Sequence, residues 1–344
     1  MSYSLSQSPL HSSFLGDEAV ASLFSAEADL AACVSFEIAL TSAQAQLGLI
    51  PSTAAKAIAV ELADFIATPS DYAVAMARDG VVVPALVADL CKVVGATRAA
   101  HLHIGATSQD VVDTSLMLRA AVAMTKIAAS LAVAQNELKV ANSAFGKRPL
   151  MGRTRMQQAL EIEVSDRLGI WAAGLAAAQA QVKALRFPLQ LGGPVGLNKN
   201  RKLIRLLAEA LGLDYLTHCW QTERSPIIAL GNACAQISGA CGKIGQDVAM
   251  MVQNEIAEIK LKGGGTSSAM AHKQNPVTAE TLVALARFNA GLISALYQSL
   301  VHEQERSGAA WTLEWMVLPQ MIVTAAASAR VTATLLASIE GLGK

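Results

Sequence analysis

The stretch Gly263-Gly264-Gly265-Thr266-Ser267-Ser268-Ala269-Met270-Ala271-His272-Lys273-Gln274-Asn275-Pro276 is the longest polar interruption in a chain otherwise rich in Ala, Leu and Val. Three successive glycines soften the backbone and permit positive φ, which suits a lid that closes over something and reopens. Asn275-Pro276 reads as a helix start, with Asn275 as cap and proline at the first helical position. Lys273 then stands beside the positive end of a helix, and its charge with the free amides there makes a site for a carboxylate or phosphate. A plain linker between helices, closed by a well-made cap, fits the same local features.

Other polar segments could join it. His101-Leu102-His103-Ile104-Gly105-Ala106-Thr107-Ser108-Gln109-Asp110 opens a very long helical pattern, with Thr107 or Ser108 as cap and Asp110 complementing the helix dipole. A His-x-His pair without a carboxylate and cysteine cluster is a weak metal signal, so no metal is expected. Gly152-Arg153-Thr154-Arg155-Met156-Gln157-Gln158-Ala159, the loop Leu189-Gln190-Leu191-Gly192-Gly193-Pro194-Val195-Gly196 and the run Trp220-Gln221-Thr222-Glu223-Arg224 follow. The glycine loop lacks the G-K-[ST] of a phosphate cradle. Last comes His302-Glu303-Gln304-Glu305-Arg306, continuing to Trp311, Glu314 and Trp315; such a charged run is commonly a solvated helix face.

In this order the segments resemble the fumarase/aspartase/argininosuccinate lyase superfamily. Ser267-Ser268-x-Met270-x-x-Lys273-x-Asn275-Pro276 looks like its S-S-x-M-P-x-K-x-N-P signature, with Ala271 in place of proline. His272, the H-x-G-A-T-S-x-D run at 103–110, the G-R-T-x-x-Q-x-A run at 152–159 and the tryptophan segment are similar to the subgroup holding adenylosuccinate lyase and 3-carboxy-cis,cis-muconate cycloisomerase. Two departures stand out: Arg155 occupies the place of a histidine that is often the lyases' proton donor, and Gln304 replaces a histidine.

The resemblance implies Ser267 and Lys273 as catalytic residues. It implies His103, Thr107, Ser108, Arg153, Thr154, Arg155, Gln157, Ser268, Met270, Asn275 and Arg306 as substrate-binding residues. The implied activity is lactonisation of 3-carboxy-cis,cis-muconate in aromatic catabolism, without metal or cofactor. The alternatives are a sulfonated muconate, an adenylosuccinate lyase, and a scaffold that assembles without catalysing. The substrate is then a small polycarboxylate and the active sites are shared between the subunits of a homotetramer.

The elements that must position these residues read as helices, so the expected class is all-α. The resemblance specifies a fumarase/aspartase-like bundle of five long helices, a small helical N-terminal domain at 1–105, a bundle domain at 106–344, a tetrameric bundle core, and a C-terminal domain absent or vestigial. Apolar spacing predicts a helix over 17–47, short helices to Gly95, and a helix to Phe145 of about 57 Å at about 1.5 Å per residue. Further long helices are expected at 156–186, 225–260, from Pro276 through the His302 segment, and at 318–339, with no convincing strand anywhere. In 344 residues only 16% are charged while 53% are hydrophobic, so apolar surface is left over for burial between subunits. Zero net charge and few aromatic residues give no footing for nucleic acid. Five scattered cysteines without a C-x-x-C pair imply a reducing compartment, and the Ser-rich N-terminus lacks a signal pattern. The longest uncharged run, Ser225–Gly242, carries polar residues and an early proline, which points to a packed helix and not a membrane span. A cytoplasmic protein is expected.

Overall fold

The computed structural model describes residues 8–266, 269–270 and 273–344. The expectations for Ser267, Ser268, Ala271 and His272 lie outside the described residues.

Short helices α1 (Ser12–Leu15) and α2 (Glu18–Ala21) lead into α3 (Ala26–Gln46), whose Ser25 side chain accepts from Ala28 N. The single helix expected over 17–47 is thus broken at Ser25, because that side chain caps a new helix there. Helices α4 (Ser52–Leu62), α5 (Pro69–Asp79) and α6 (Val83–Ala99) follow. With α3 they enclose one core, including Phe36, Leu40, Ile58, Leu86 and Leu90, which Leu189, Leu191, Leu203 and Leu207 from much later in the chain complete.

The second core lies among α7 (Ser108–Phe145), α8 (Val164–Ala184), α10 (Ser225–Met251), α11 (Val277–Gln298) and α12 (Gly308–Ala337), which pack side by side; α9 (Arg201–Leu211) lies against α3. The bundle runs up and down. Trp311 and Glu314, early in α12, reach Asp113 early in α7 and Arg224 before α10, so these three helices start at one end, here called the upper end. Short pieces of sheet close the lower end: β1 (Pro149–Thr154) pairs antiparallel with β2 (Gln157–Glu163), and β3 (Ile259–Leu261) with β6 (Ile339–Leu342). Between them β4 (Gly265–Thr266) pairs with β5 (Gln274–Asn275).

Several expected boundaries change. The hairpin replaces the first turns of the helix expected at 156–186, because Thr154 pairs with Gln157 across a two-residue turn, Arg155-Met156, with φ of 48° and 68°. Helix α10 ends at Met251, short of 260, where the chain turns into β3. Asn275 is not the cap of α11: its backbone is taken by β4, and Pro276 stands at the cap position. The helix expected to carry His302 stops at Gln298, and α12 starts afresh where the Ser307 side chain accepts from Ala310 N, running straight through Pro319.

By length and composition α7, α11 and α12 could each cross a membrane, yet 72% of the apolar stretch of α12 is buried within the fold. On α7 and α11 those shares are only 39% and 33%. Val122, Val133, Val140, Phe288 and Tyr297 are left facing outward.

Candidate active site

The upper end is built around the start of α7. Thr107 is the cap residue, and the Asp110 side chain returns a bond to its N–H at 3.0 Å. The same buried carboxylate accepts from Gly192 N at 2.7 Å, Gly193 N at 2.9 Å and Gln221 Nε2 at 3.1 Å. Burial pushes the Asp110 carboxyl up to about 6, against the four N–H donors that pull it down. The two glycines of the loop are therefore fastened to α7 by Asp110, while Gln190 is tied to Thr114 and Asp113 of the same helix. Gly193 adopts φ of 70°, and a Cβ on it would meet Gly105 O at 3.2 Å, so the loop passes close to the segment carrying His103.

Arg306 reaches into this cluster from the segment before α12. Its Nη2 donates to Thr107 Oγ1 at 3.1 Å and to Pro194 O at 3.3 Å, and its Nε donates to Gln109 Oε1 at 3.0 Å. His103, with φ of 55°, places Nδ1 2.6 Å from Glu37 Oε1 while its backbone N–H donates to Glu37 Oε2 at 3.2 Å. Thr107, Ser108, His103 and Arg306 are thus gathered, half-buried, at one helix start.

Beneath them lies a network that spacing could not disclose. Arg224, fully buried, donates to Asp113 at 2.8 and 3.1 Å and to Glu314 at 2.9 and 2.6 Å, with its guanidinium 4.7 Å from the Trp220 ring centre. Trp311 Nε1 and Gln190 Nε2 donate to Asp113 as well. The motif residues Gln190, Gln221, Arg224, Trp311 and Glu314 therefore tie four segments together. Two flanking carboxylates hold the Arg224 guanidinium firmly in its charged form although burial opposes it. The buried His302 side chain lies 3.4 Å from Glu314 without hydrogen-bond geometry. Glu37 and Asp113 were missed because their partners lie 66 and 111 residues away.

The remaining predicted residues sit at the lower end. Arg153 is held by Glu258, itself almost fully buried, at 2.7 Å. Thr154, Arg155 and Gln157 form the exposed tip of the hairpin. Met270, Lys273 and Asn275 line a cavity of about 1050 Å³ with Lys260 and Lys262. Helix α11, 22 residues or about 33 Å at about 1.5 Å per residue, runs between Lys273 at its start and the segment carrying Arg306 beyond its end, so one chain does not bring Lys273 to Arg306. Among the described residues no group of three or more His, Cys, Asp or Glu side chains is placed to hold a metal ion.

An up-and-down bundle with this order of segments is a fold already seen in known enzymes. A family profile described as lyase matches residues 17–288, and the chain belongs to that lyase family. Within it, the chain is 33% identical to a 3-carboxy-cis,cis-muconate cycloisomerase of Acinetobacter baylyi, over 97% of this chain and 77% of the relative. It is likewise 33% identical to a nitrosuccinate lyase of Streptomyces davaonensis, over 90% of this chain and 70% of that protein. The crystal structure of a 3-carboxy-cis,cis-muconate lactonizing enzyme from Pseudomonas putida superposes with a TM-score of 0.90 at 29% identity, covering 97% of this chain and 77% of that one.

Proposed function

We propose that this chain is a cycloisomerase that closes 3-carboxy-cis,cis-muconate to 4-carboxymuconolactone. The observation that carries the reading is similarity to cycloisomerases along almost the whole chain, together with Arg306 at the upper end and the lysines of the lower cavity as cations suited to carboxylates. One substrate carboxylate oxygen adds to a carbon of the substrate's own double bond, and the neighbouring carbon takes up a proton. Nothing is lost and water is not a reactant. Negative charge gathers on the carboxylate next to the protonated carbon, and cations and amide dipoles already in place stabilise it, usually the largest catalytic contribution.

In this reading Lys273 and Arg306 meet substrate carboxylates, helped by the starts of α7 and α11, and Ser267 handles the proton. His103, Thr107, Ser108, Arg153, Thr154, Arg155, Gln157, Ser268, Met270 and Asn275 complete the pocket. Because Lys273 and Arg306 lie at opposite ends of one chain, the site is shared: the lower end of one subunit meets the upper end of another in a homotetramer. The outward valines of α7 and the Phe288 face of α11 support the same assembly, since exposed apolar area of this kind is removed from water by a partner. Cytoplasmic location belongs to this reading.

The nitrosuccinate lyase relative favours a second reading, elimination from a substituted succinate. Arg155 argues against an adenylosuccinate lyase, since no histidine follows Thr154. The deciding experiment offers the purified protein 3-carboxy-cis,cis-muconate and follows loss of diene absorbance. Ser267→Ala is expected to slow turnover by roughly two to four orders of magnitude, as when a positioned acid–base group is lost. Lys273→Ala is expected to raise KM as well as lower kcat. Absence of diene loss, with an alkene released from a substituted succinate, would favour the lyase reading instead.

A further inference from the structure

Glu37 belongs to none of the recognised segments, yet it is a carboxylate with no exposed surface in the middle of α3. A buried carboxylate is costly unless it is paired. Among the described residues the partner of its side chain is His103, bound twice: Oε1 to the ring Nδ1 at 2.6 Å and Oε2 to the backbone N–H at 3.2 Å. Both oxygens are thus committed to one residue. While it donates both bonds His103 has a left-handed backbone, φ 55°, uncommon for a residue other than glycine, and such conformations gather at working sites.

A carboxylate oxygen accepts, so Nδ1 is the donor in this pair. With Nδ1 directed at Oε1, its proton lies on that side, and Nε2 is left for a ligand; the ring keeps 23% of its surface exposed. Four residues further on, Thr107 and Arg306 meet at the start of α7. We propose that Glu37 is a positioning residue that holds His103 as an imidazolium with Nε2–H presented to a substrate carboxylate, beside Arg306. Arg306 then supplies the permanent charge, and His103 a charge that can be withdrawn. The inference rests on the cycloisomerase reading only for the identity of that carboxylate.

The groups bearing on the pair are few. Asp110 from α7 adds negative charge, and the thiols of Cys33 on α3 and Cys91 on α6 both feel the Glu37 carboxylate and are held in the neutral form chiefly by burial. Burial pushes the imidazole down, but the bond to Glu37 and the charges of Glu37 and Asp110 carry it above its ordinary value.

The test is the titration of His103 in the whole protein labelled with ¹³C and ¹⁵N in histidine, with His103→Gln to assign the signal, alongside the pH profile of kcat/KM. In the wild type, the ring should carry its Nδ1 proton throughout and lose charge only above the ordinary histidine range. Glu37→Gln should move that midpoint down and move the alkaline limb of kcat/KM with it, raising KM more than it lowers kcat. Glu37→Asp should restore part of the shift. A wild-type midpoint at or below the ordinary value would overturn the proposal, even if Glu37→Gln failed to fold. So would a Glu37→Gln enzyme with an unmoved limb. If the ring titrates as described but 3-carboxy-cis,cis-muconate is not turned over, the pair stands and the cycloisomerase reading falls.

Discussion

At the scale of single residues, Asp110 shows how a motif position can serve structure and site together. Its two oxygens each take two N–H donors, from Gly192 and Gln221 on one side and Gly193 and Thr107 on the other. An asparagine would turn its amide toward one of these donor pairs in either orientation, leaving N–H facing N–H. Asp110→Asn is therefore expected to destabilise the fold by about 1–3 kcal/mol, and to free the glycine loop that passes beside Gly105. Thermal midpoints of wild type and Asp110→Asn compared at neutral pH should show that loss, and an unchanged midpoint would mean that the four bonds do not hold the loop.

At the scale of elements, the close approach of α10 and α11 depends on glycine. A Cβ at Gly245 would lie 2.5 Å from Ala279 O and 2.7 Å from Leu282 Cβ, both in or beside the α11 backbone, and neither can swing away. Gly245→Ala is expected to cost about 1–3 kcal/mol by prising the helices apart, readable as a lower denaturation midpoint; Gly239→Ala, where a Cβ meets nothing, should not. Elements differ in how plainly the sequence discloses them. The start of α7 at Thr107 and its end before Gly146 were legible because caps are local chemistry. The β1–β2 hairpin was not: its turn is Arg155-Met156, without the Asn or Gly that such turns favour, and β2 is almost wholly exposed, so no buried face imposes a period. Pro319 misled in the other direction, since α12 carries it in its interior. At the site, Thr107 and Arg306 were legible as motif residues, whereas Glu37 and Asp113 act only through contacts made by folding.

At the scale of the whole molecule, the distance between Arg306 and Lys273 permits a decisive test of site sharing. If one chain supplied both, variants lacking either would stay inactive however they were mixed. If each site takes its upper end from one subunit and its lower end from another, a tetramer refolded from Arg306→Ala and Lys273→Ala chains contains some sites with both cations intact. For random assembly the fraction is about one in four, since the upper end must come from a Lys273→Ala chain and the lower end from an Arg306→Ala chain. Each variant alone is expected to lose most of its turnover of 3-carboxy-cis,cis-muconate, while the denatured and refolded mixture should recover to about a quarter of wild-type activity in particles of about four chains by light scattering. Mixing without denaturation controls for simple addition of residual activities. Recovery requires only that the two residues come from different chains, which is what a separation by the length of α11, about 33 Å at about 1.5 Å per residue, demands of any substrate small enough to be held by both. If the refolded hybrids form at the expected mass and stay as inactive as their parents, the two cations do not serve one site, and Arg306 belongs to the framework around Thr107 and Gln109 alone.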